Sequence, residues 1–444
     1  MAQALSGLTR HGEYGLECPG IIPVSEPTRG GRRGKLSIFL IGGATVVAGI
    51  SGYLVTLAVA QQAGLAAYSV FAVFWAVLYF IVGCLFGLQQ EMTRAVSATT
   101  RAPLATALGR PRVPVPRFVL FTAVIVGVVI VVSFPLWAVS AFGADQLGLV
   151  VPLAVGAVVC VAVASLSGVI SGLGLWGHLA LIVGLDGALR LAAVLAVLAL
   201  GGDQIWLAWA VIVPFPVTVG IALVVARRRL AHARYVDGTY RGLLWNSART
   251  MLAAAAMAAM VTGFPALLAL FADGVDREYF GALILAITLL RAPLLVPLTA
   301  FQSYLLVFFA SRRANIIRAL VLFLAVVAIG TAVFAGVTAL FGEQVFVWLF
   351  GDQVRQVSNL LVPLVFASGM IAGLFVTGPA VLSRNNHAAY TTGWVVSAVV
   401  AMGAVLMPWA IGDRVIAALV IGPAAGLMIH ITSVVRGGRN GDDR

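Results

Sequence analysis

Residues 118–141 read FVLFTAVIVGVVIVVSFPLWAVSA, a run of 24 residues without a charged side chain. As a helix rising about 1.5 Å per residue, this run can cross the roughly 30 Å of hydrocarbon in a bilayer. The rest of the chain has the same character, since 61% of its 444 residues are hydrophobic and 10% are charged. Soluble domains are roughly 45–50% apolar and about 25% charged. The composition therefore predicts an all-α polytopic membrane protein and excludes a soluble enzyme and a secreted disulfide scaffold.

Windows of about 19 residues predict twelve transmembrane helices along the chain. Short polar connections separate them, and several spans contain Gly and Pro, which helices in lipid tolerate better than soluble helices do. The predicted spans are 36–60, 68–90, 117–141, 148–176, 179–200, 206–226, 250–272, 279–309, 316–341, 359–382, 391–410 and 415–435.

Lysine and arginine residues predict how the spans are oriented. With the N-terminus placed in the cytoplasm, the connections on that side hold 23 basic residues and those on the other side hold 3, while Arg190 and Arg291 lie within spans. The positive-inside rule then places both termini in the cytoplasm of a multi-pass protein of the cell membrane. Basic loops of this kind face anionic lipid headgroups, so the formal net charge of +12 gives no reason to expect nucleic acid as a partner.

The longest polar connection divides the chain into two halves. This basic cytoplasmic linker, residues 227–249, separates an N-terminal six-helix lobe, 36–226, from a C-terminal six-helix lobe, 250–435. Residues 1–35 are polar and contain several Gly and Pro residues, which predicts a disordered cytoplasmic segment. Residues 436–444 are predicted to form a cytoplasmic tail.

The two halves share a weak internal repeat. Val151-Pro152-Leu153 and Val362-Pro363-Leu364 are 211 residues apart, and Phe142-Gly143 corresponds to Phe350-Gly351 with a slip of three residues. An even number of spans in each half makes this a parallel repeat, with an axis along the membrane normal. Transporters built in this way place the substrate path between the halves.

Arg291 is the sharpest candidate for a functional charge inside the membrane. It lies 12 residues beyond Tyr279, about 18 Å along a helix, and no acid lies within one turn of it. Charges at this depth are costly and mark functional sites by default. One interpretation is that Arg291 binds an anionic substrate group such as a phosphate. The other is a structural arginine that caps backbone carbonyls or pairs with a distant acid.

Asp186 and Arg190 form a second candidate site in span five. They are four residues apart and therefore share one helical face. One interpretation is a self-neutralised pair, which lowers the cost of burying both charges. The other is an ion-coupling site, in which protonation of Asp186 releases Arg190 to contact an anionic substrate. Asp186 is the only acid deep within a predicted span, so proton coupling would most simply run through it.

Polar residues near the predicted inner ends of spans two and eight give the remaining candidates. Glu91 and Arg94 are three residues apart, which predicts either an interfacial ion pair or a vestibule that receives a polar headgroup. Glu91 is a second candidate for ion coupling. Gln302 and Tyr304 are candidates for binding a sugar, or for polar contacts between helices.

The sequence favours transport over other membrane functions. No outer connection exceeds about 17 residues, and the sequence contains no histidine–acid cluster and no plausible nucleophile constellation, so an enzyme is not expected. Channels more often combine shorter subunits with rings of like charge. The three cysteines predict no disulfide framework, and no metal or other cofactor is expected.

Four short motifs are spread over most of the chain. They are the turn before span two, the polar end of that span, an arginine-plus-proline segment and the turn before span ten. The segments are 63–71 (AGLAAYSVF), 87–90 (GLQQ) followed by Arg94, 290–295 (LRAPLL) and 350–355 (FGDQVR). These motifs resemble those of Wzx-type polysaccharide flippases in the MOP exporter superfamily, although Ser69 stands where the first turn usually has glycine.

This resemblance implies a MATE/MOP-like fold and a specific cargo. It implies that a polyprenyl-pyrophosphate-linked oligosaccharide moves from the inner to the outer leaflet by alternating access, for cell-surface polysaccharide biosynthesis. By this resemblance, Arg94 and Arg291 are expected to contact the headgroup. It also implies membrane lipids and a polysaccharide polymerase or glycosyltransferases as partners. The alternative is a MATE-like extruder that exchanges organic cations for protons or sodium. Its cavity should be acidic, whereas two arginines and one aspartate lie within the predicted spans.

Overall fold

Helices make up nearly all of the first half of the chain. The computed structural model describes residues 32–101, 111–312 and 315–442. The first five predicted spans are single helices, whereas the sixth is broken in two. The helices are α1 (Arg32–Gln62), α2 (Leu65–Arg101), α3 (Val115–Phe142), α4 (Val150–Gly172), α5 (Trp176–Ala199), α6 (Gln204–Ile212) and α7 (Pro214–Leu230).

The second half has a similar order of helices, with the break in its first span. Span seven consists of one long and one short helix, and the later spans are continuous. The helices are α8 (Tyr240–Val261), α9 (Phe264–Ala269), α10 (Arg277–Ser311), α11 (Ile316–Phe350), α12 (Ser358–Leu382), α13 (His387–Val405) and α14 (Ile411–Asp442).

Short polar side chains fix where several helices begin. The carboxylates of Asp203 and Asp276 accept hydrogen bonds from backbone N–H groups in the first turns of α6 and α10. Thr239 and Asn386 cap α8 and α13 in the same way. The first N–H groups of a helix have no partner within it, so each of these side chains satisfies a group that hydrocarbon could not.

The internal repeat is visible in the local backbone conformation. α3 ends at Phe142 and α11 ends at Phe350, and each is followed by a glycine with positive φ, +87° at Gly143 and +81° at Gly351. A 3₁₀ helix of six residues follows each glycine and leads into α4 or α12. Residues with a side chain rarely adopt this conformation. The predicted correspondence between the two Phe-Gly pairs is therefore confirmed.

The seventh predicted span departs from the sequence prediction. In the described residues, eleven helical stretches are long and apolar enough to cross a bilayer, whereas twelve spans were predicted. The exception is the span predicted at 250–272. The structure begins α8 at Tyr240 and ends it at Val261. Polar side chains such as Arg241 and Asn246 occupy its first turns, so only its second half is uniformly apolar.

Two short strands tie the linker to the first half of the chain. β1 (Arg112–Pro114) follows α2 and pairs antiparallel with β2 (Tyr235–Asp237), with Val113 opposite Val236. The linker predicted at 227–249 contains the end of α7, a strand and the start of α8.

The first and last helices extend into the two end segments of the chain. The N-terminal segment predicted as disordered, residues 1–35, lies outside the described residues up to residue 31, and α1 already begins at Arg32. At the other end, α14 continues to Asp442, so most of the predicted tail, 436–444, is helical.

The outer surface of the bundle is apolar. On α3, for example, Leu120, Val124, Val128, Val131 and Leu136 are all exposed. Soluble monomers rarely expose contiguous apolar patches of this kind, whereas hydrocarbon accepts them. The main buried core contains helices of both halves, so the lobes share one packed interior.

Candidate substrate path between the lobes

Helices α2 and α8 approach each other closely across the boundary between the lobes. A Cβ atom on Gly83 would lie 2.5 Å from the Cβ of Ala258, and one on Gly87 would lie 2.4 Å from the backbone of Thr250. These distances are too short for any side chain, so glycine is required at both positions. Small residues bring helix backbones together in membranes. We refer to this contact as the α2–α8 seam.

Hydrogen bonds between the lobes follow the seam along its length. On α2 the groups involved recur at intervals of four or eight residues, which is one face of a helix. The bonds run from Thr262 Oγ1 to the carbonyl O of Tyr79 (3.3 Å), from Thr250 Oγ1 to the carbonyl O of Gly87 (2.9 Å) and from Asn246 Nδ2 to Glu91 Oε1 (3.3 Å).

Arg291 lies on α10 and is buried, with 5% of its surface exposed. Its Nη1 donates to the carbonyl oxygens of Met260 at 3.3 Å and Val261 at 3.4 Å. The guanidinium also lies over the ring of Phe264, 5.6 Å from its centroid. Its Nη2 is buried and has no hydrogen-bond partner among the described residues. The carbonyl-capping role that the sequence left open is therefore observed, and one donor of the guanidinium is left over.

The break between α8 and α9 explains why these carbonyls are free. Pro265 has no N–H group, so the carbonyl of Val261, four residues earlier, loses its partner in the helix. The backbone N–H groups of Thr262 and Gly263 both turn back to Ala258 and end α8 there. Unpaired carbonyls are costly in hydrocarbon, and the guanidinium satisfies two of them.

Asp186 and Arg190 are paired inside the N-terminal lobe. Arg190 is 5% exposed, and its Nη2 donates to Asp186 Oδ2 at 2.5 Å. Its Nη1 donates to the hydroxyl of Tyr79, and its Nε donates to the carbonyl of Val211 at 3.2 Å. All three nitrogen atoms of the guanidinium are therefore occupied by protein groups. The second carboxylate oxygen of Asp186 is buried without a partner in the described part of the chain.

Aromatic rings enclose the Arg190 guanidinium. Its central carbon lies 4.8 Å from the ring centroid of Phe215, 5.5 Å from that of Tyr79 and 5.9 Å from that of Trp75. Trp75 and Tyr79 stack on each other at 4.6 Å. Cation–π contacts stabilise a desolvated arginine, so the rings hold this side chain in place together with its hydrogen bonds.

The two buried arginines are connected through the seam. Arg190 donates to the hydroxyl of Tyr79, and the backbone carbonyl of Tyr79 accepts a bond from Thr262. Thr262 directly follows Val261, whose carbonyl Arg291 holds. A continuous series of contacts therefore runs from the ion pair in the first lobe to the unpaired guanidinium in the second.

Glu91 and Arg94 form an ion pair at the end of the seam. Arg94 contacts both carboxylate oxygens, at 2.8 Å and 2.5 Å. The Glu91 side chain is 3% exposed, whereas that of Arg94 is 46% exposed. The interfacial ion pair that the sequence allowed is observed, and it also contacts the other lobe through Asn246.

Gln302 and Tyr304 are not brought to the buried arginines. They lie eleven and thirteen residues beyond Arg291 on α10, about 16 and 20 Å along the helix. Tyr304 is 58% exposed and Gln302 is half-buried. Neither makes a hydrogen bond to another residue that the structure describes.

A second contact between the lobes lies at the opposite end from Glu91. Arg277 at the start of α10 donates to both carboxylate oxygens of Asp145, at 3.3 Å and 2.9 Å. A cavity of about 220 Å³ adjoins this pair and is lined by residues of both lobes, including Ser69 and Asp273.

Several of these residues were missed by the sequence reasoning. Asn246, Thr250 and Thr262 were not singled out, because nothing in their local sequence marks a partner on α2. The pair Gly83 and Gly87, four residues apart in an apolar run, is the usual signal for close helix packing and could have indicated the seam. In the ranges described, no group of three His, Cys, Asp or Glu side chains could hold a metal ion.

Mycobacterial proteins are among the known sequences that are similar to the chain. No protein-family model matches it. The uncharacterized protein Mb3654 of Mycobacterium bovis is 31% identical over 416 residues, which cover 93% of this chain and 95% of that protein. The chain belongs to the same family as Mb3654.

Solved structures identify the fold. The family member described here matches the inward closed conformation of the lipid II flippase MurJ with a TM-score of 0.68 and 13% identity, over 89% of this chain and 87% of that one. An inward-facing multidrug resistance MATE family transporter of the MOP superfamily matches with a TM-score of 0.65 and 14% identity, over 90% and 99%. The protein is therefore a multi-pass membrane protein with the fold of MOP superfamily transporters.

Proposed function

We propose that this protein is a flippase that moves a polyprenyl-pyrophosphate-linked oligosaccharide from the cytoplasmic to the outer leaflet of the cell membrane. The observation that carries the proposal is the leftover donor of Arg291. Its Nη2 is buried beside the boundary between the lobes, and no acid forms an ion pair with the guanidinium in the described ranges.

An anionic cargo would supply the counter-charge and the hydrogen-bond acceptor that Arg291 lacks. A full positive charge at this depth is costly without a counter-charge, and carbonyl dipoles compensate it only in part. The contacts with Met260 and Val261 hold the side chain in position. One phosphate oxygen accepting from Nη2 then forms a charge-assisted hydrogen bond, which is stronger than a neutral one. We assign to Arg291 the neutralisation of headgroup charge during the crossing.

The fold supports a lipid-linked cargo. MurJ is described as a lipid II flippase. We propose that in this protein the polar headgroup likewise passes between the two lobes while the lipid tail stays in the bilayer. At the basic end of the bundle, Arg94 is half-exposed and is our candidate for the first headgroup contact. Gln302 and Tyr304, which lack hydrogen-bond partners in the described chain, are candidates for contacts with the sugars.

Asp186 is our candidate for ion coupling. Protonation removes the counter-charge of Arg190 and frees its Nη2 for an anion. The contacts through Tyr79 and Thr262 carry this change to the carbonyls that Arg291 holds. Glu91 plays a corresponding part at the end of the seam, since its protonation weakens the contact with Asn246 that joins the lobes there.

Translocation of the cargo in proteoliposomes tests the proposal. Arg291→Gln should abolish movement of a polyprenyl-pyrophosphate oligosaccharide between leaflets, because glutamine carries no charge. Arg414→Gln is the matched control. Arg414 also donates to backbone carbonyls, those of Phe271 and Val405, so its loss reports the structural cost of removing such an arginine.

Two outcomes would contradict the flippase. The first is translocation by Arg291→Gln at the wild-type rate. The second is failure of the wild-type protein to move the lipid while it extrudes a fluorescent organic cation against a proton or sodium gradient. That result would favour the MATE-like extruder, the function of another group of proteins with this fold.

A further inference from the structure

One strip of α8 is exposed at the basic end of the bundle. Its members recur every three or four residues, which places them on one face of the helix. Trp245 is 66% exposed and Leu252 is 73% exposed, both large apolar side chains. The strip consists of Arg241, Trp245, Ala248, Arg249 and Leu252.

This strip faces away from the boundary between the lobes. The residues of α8 that contact α2 near this end are Asn246 and Thr250. At about 100° per residue, the centre of the exposed strip lies about 135° around the helix from these two residues. The strip is therefore turned away from the seam.

A groove of about 830 Å³ accompanies the strip. It is a large open space, and its wall combines a basic side chain, an indole ring and aliphatic carbon. Its lining residues are Thr239, Arg241, Gly242, Leu244, Trp245 and Ala248.

The depth of each side chain matches a layer of the membrane. Asn246 bonds to Glu91, which lies where span two is predicted to reach the cytoplasmic interface. Trp245 is therefore at the interface, the level that tryptophan favours. Leu252 lies seven residues further along, about 10 Å deeper, at the level of the acyl chains. Arg241 lies four residues back, about 6 Å on the other side, at the level of the phosphates.

Both arginines of the strip place their charge at the level of the lipid phosphates. Side chains on a helix tilt toward its N-terminus, which for α8 is the basic end. Arg249 therefore points back toward the phosphates, and long basic side chains extend their charge to the interface in this way. Arg241 is already at that level. In the described chain neither arginine forms an ion pair.

We propose that this face of α8 binds an anionic phospholipid of the leaflet at the basic end. Arg241 and Arg249 hold the phosphate, and one acyl chain lies along Trp245 and Leu252. The occupant is a resident lipid rather than the cargo, because the basic, aromatic and aliphatic side chains of this exposed face follow the layers of one leaflet and lie outside the contact between the lobes. This inference does not depend on which molecule is transported.

Native mass spectrometry of the purified protein tests the site. The protein is titrated with dioleoyl phosphatidylglycerol and, in parallel, with dioleoyl phosphatidylcholine. One basic side chain near an anionic surface contributes about fivefold to affinity. We therefore expect Arg241→Gln/Arg249→Gln to bind phosphatidylglycerol about 30-fold more weakly and phosphatidylcholine unchanged. Trp245→Ala should weaken the binding of both lipids.

The matched control removes the same charge from elsewhere in the linker. Arg229→Gln/Arg234→Gln alters two exposed arginines that lie outside the strip, and it should retain wild-type binding. Equal losses in both double variants would overturn the site in favour of general attraction by the basic end. Unchanged binding in Arg241→Gln/Arg249→Gln would overturn it directly. Stoichiometric displacement of phosphatidylglycerol by a polyprenyl phosphate would overturn the resident lipid in favour of cargo docking.

Discussion

The substitution Gly87→Ala should separate the helices of the α2–α8 seam. The new Cβ would lie 2.4 Å from the backbone of Thr250, and ordinary contact begins at 3.4 Å, so the helices must move apart by about 1 Å. Overpacking of this kind costs about 1–3 kcal/mol. Weakening the hydrogen bond from Thr250 to the Gly87 carbonyl adds about 0.6 kcal/mol, the average for such bonds in a membrane. Compared with a glycine-to-alanine control away from the seam, opening the seam should therefore lower the free energy of unfolding by roughly 2–4 kcal/mol.

The control for this prediction is Gly336→Ala on α11, where a Cβ would have no heavy atom within 4 Å. Alanine favours a helix over glycine by about 1 kcal/mol, and both variants gain this amount. The difference in the free energy of unfolding between the two variants therefore measures the effect of the seam alone. Reversible unfolding in mixed micelles with a denaturing detergent measures both. If Gly87→Ala were as stable as Gly336→Ala, the close approach of α2 and α8 would be refuted.

Three further predictions concern contacts outside the seam. Gly393→Ala should lower the melting temperature by several degrees, because its Cβ would lie 2.2 Å from Nε2 of the buried His430; an unchanged melting temperature would contradict this packing. Asp145→Asn should cost less than about 1 kcal/mol, since its ion pair with Arg277 is exposed. That cost should disappear in about 1 M salt, and unfolding at low and high salt checks this. Asp186→Asn should cost about 3 kcal/mol, because it leaves a buried guanidinium without its counter-charge; wild-type stability in the same unfolding assay would argue against a charged pair.

Hydropathy predicted most of the helices, because an uncharged run of about 20 residues has few alternatives in lipid. It placed span seven at 250–272 instead of starting α8 at Tyr240. Polar side chains such as Arg241, Asn246 and Thr250 lie on several sides of the start of that helix, so a hydropathy window over it scores low. A low score also ended span nine at residue 341, although α11 continues through Gly342 and Glu343 to Phe350.

The sequence indicated some of the candidate residues but few of the groups that they contact. A charge in an apolar run is conspicuous, which is why Arg291 and Asp186 were found. Backbone acceptors carry no sequence signal of their own, so the carbonyls that Arg291 binds were not predictable except through Pro265, whose missing N–H frees one of them. The partner of Glu91 on α8 depends on long-range packing, which spacing along the chain does not reveal.

The pairing of β1 with β2 limits how the lobes can move. Strand β2 is fixed to the first lobe, and the backbone N–H of Asp237 also donates to Thr99 at 2.9 Å. Between this strand and the first residue of α8, only Gly238 and Thr239 are left as a strap. A rotation of about 10° about such a strap displaces atoms one bilayer thickness away, roughly 30 Å, by about 5 Å. Gly238 and Thr239 thus lie at the axis of rotation. For a given rotation, the lobes therefore separate most at the far end of the bundle, where Asp145 contacts Arg277.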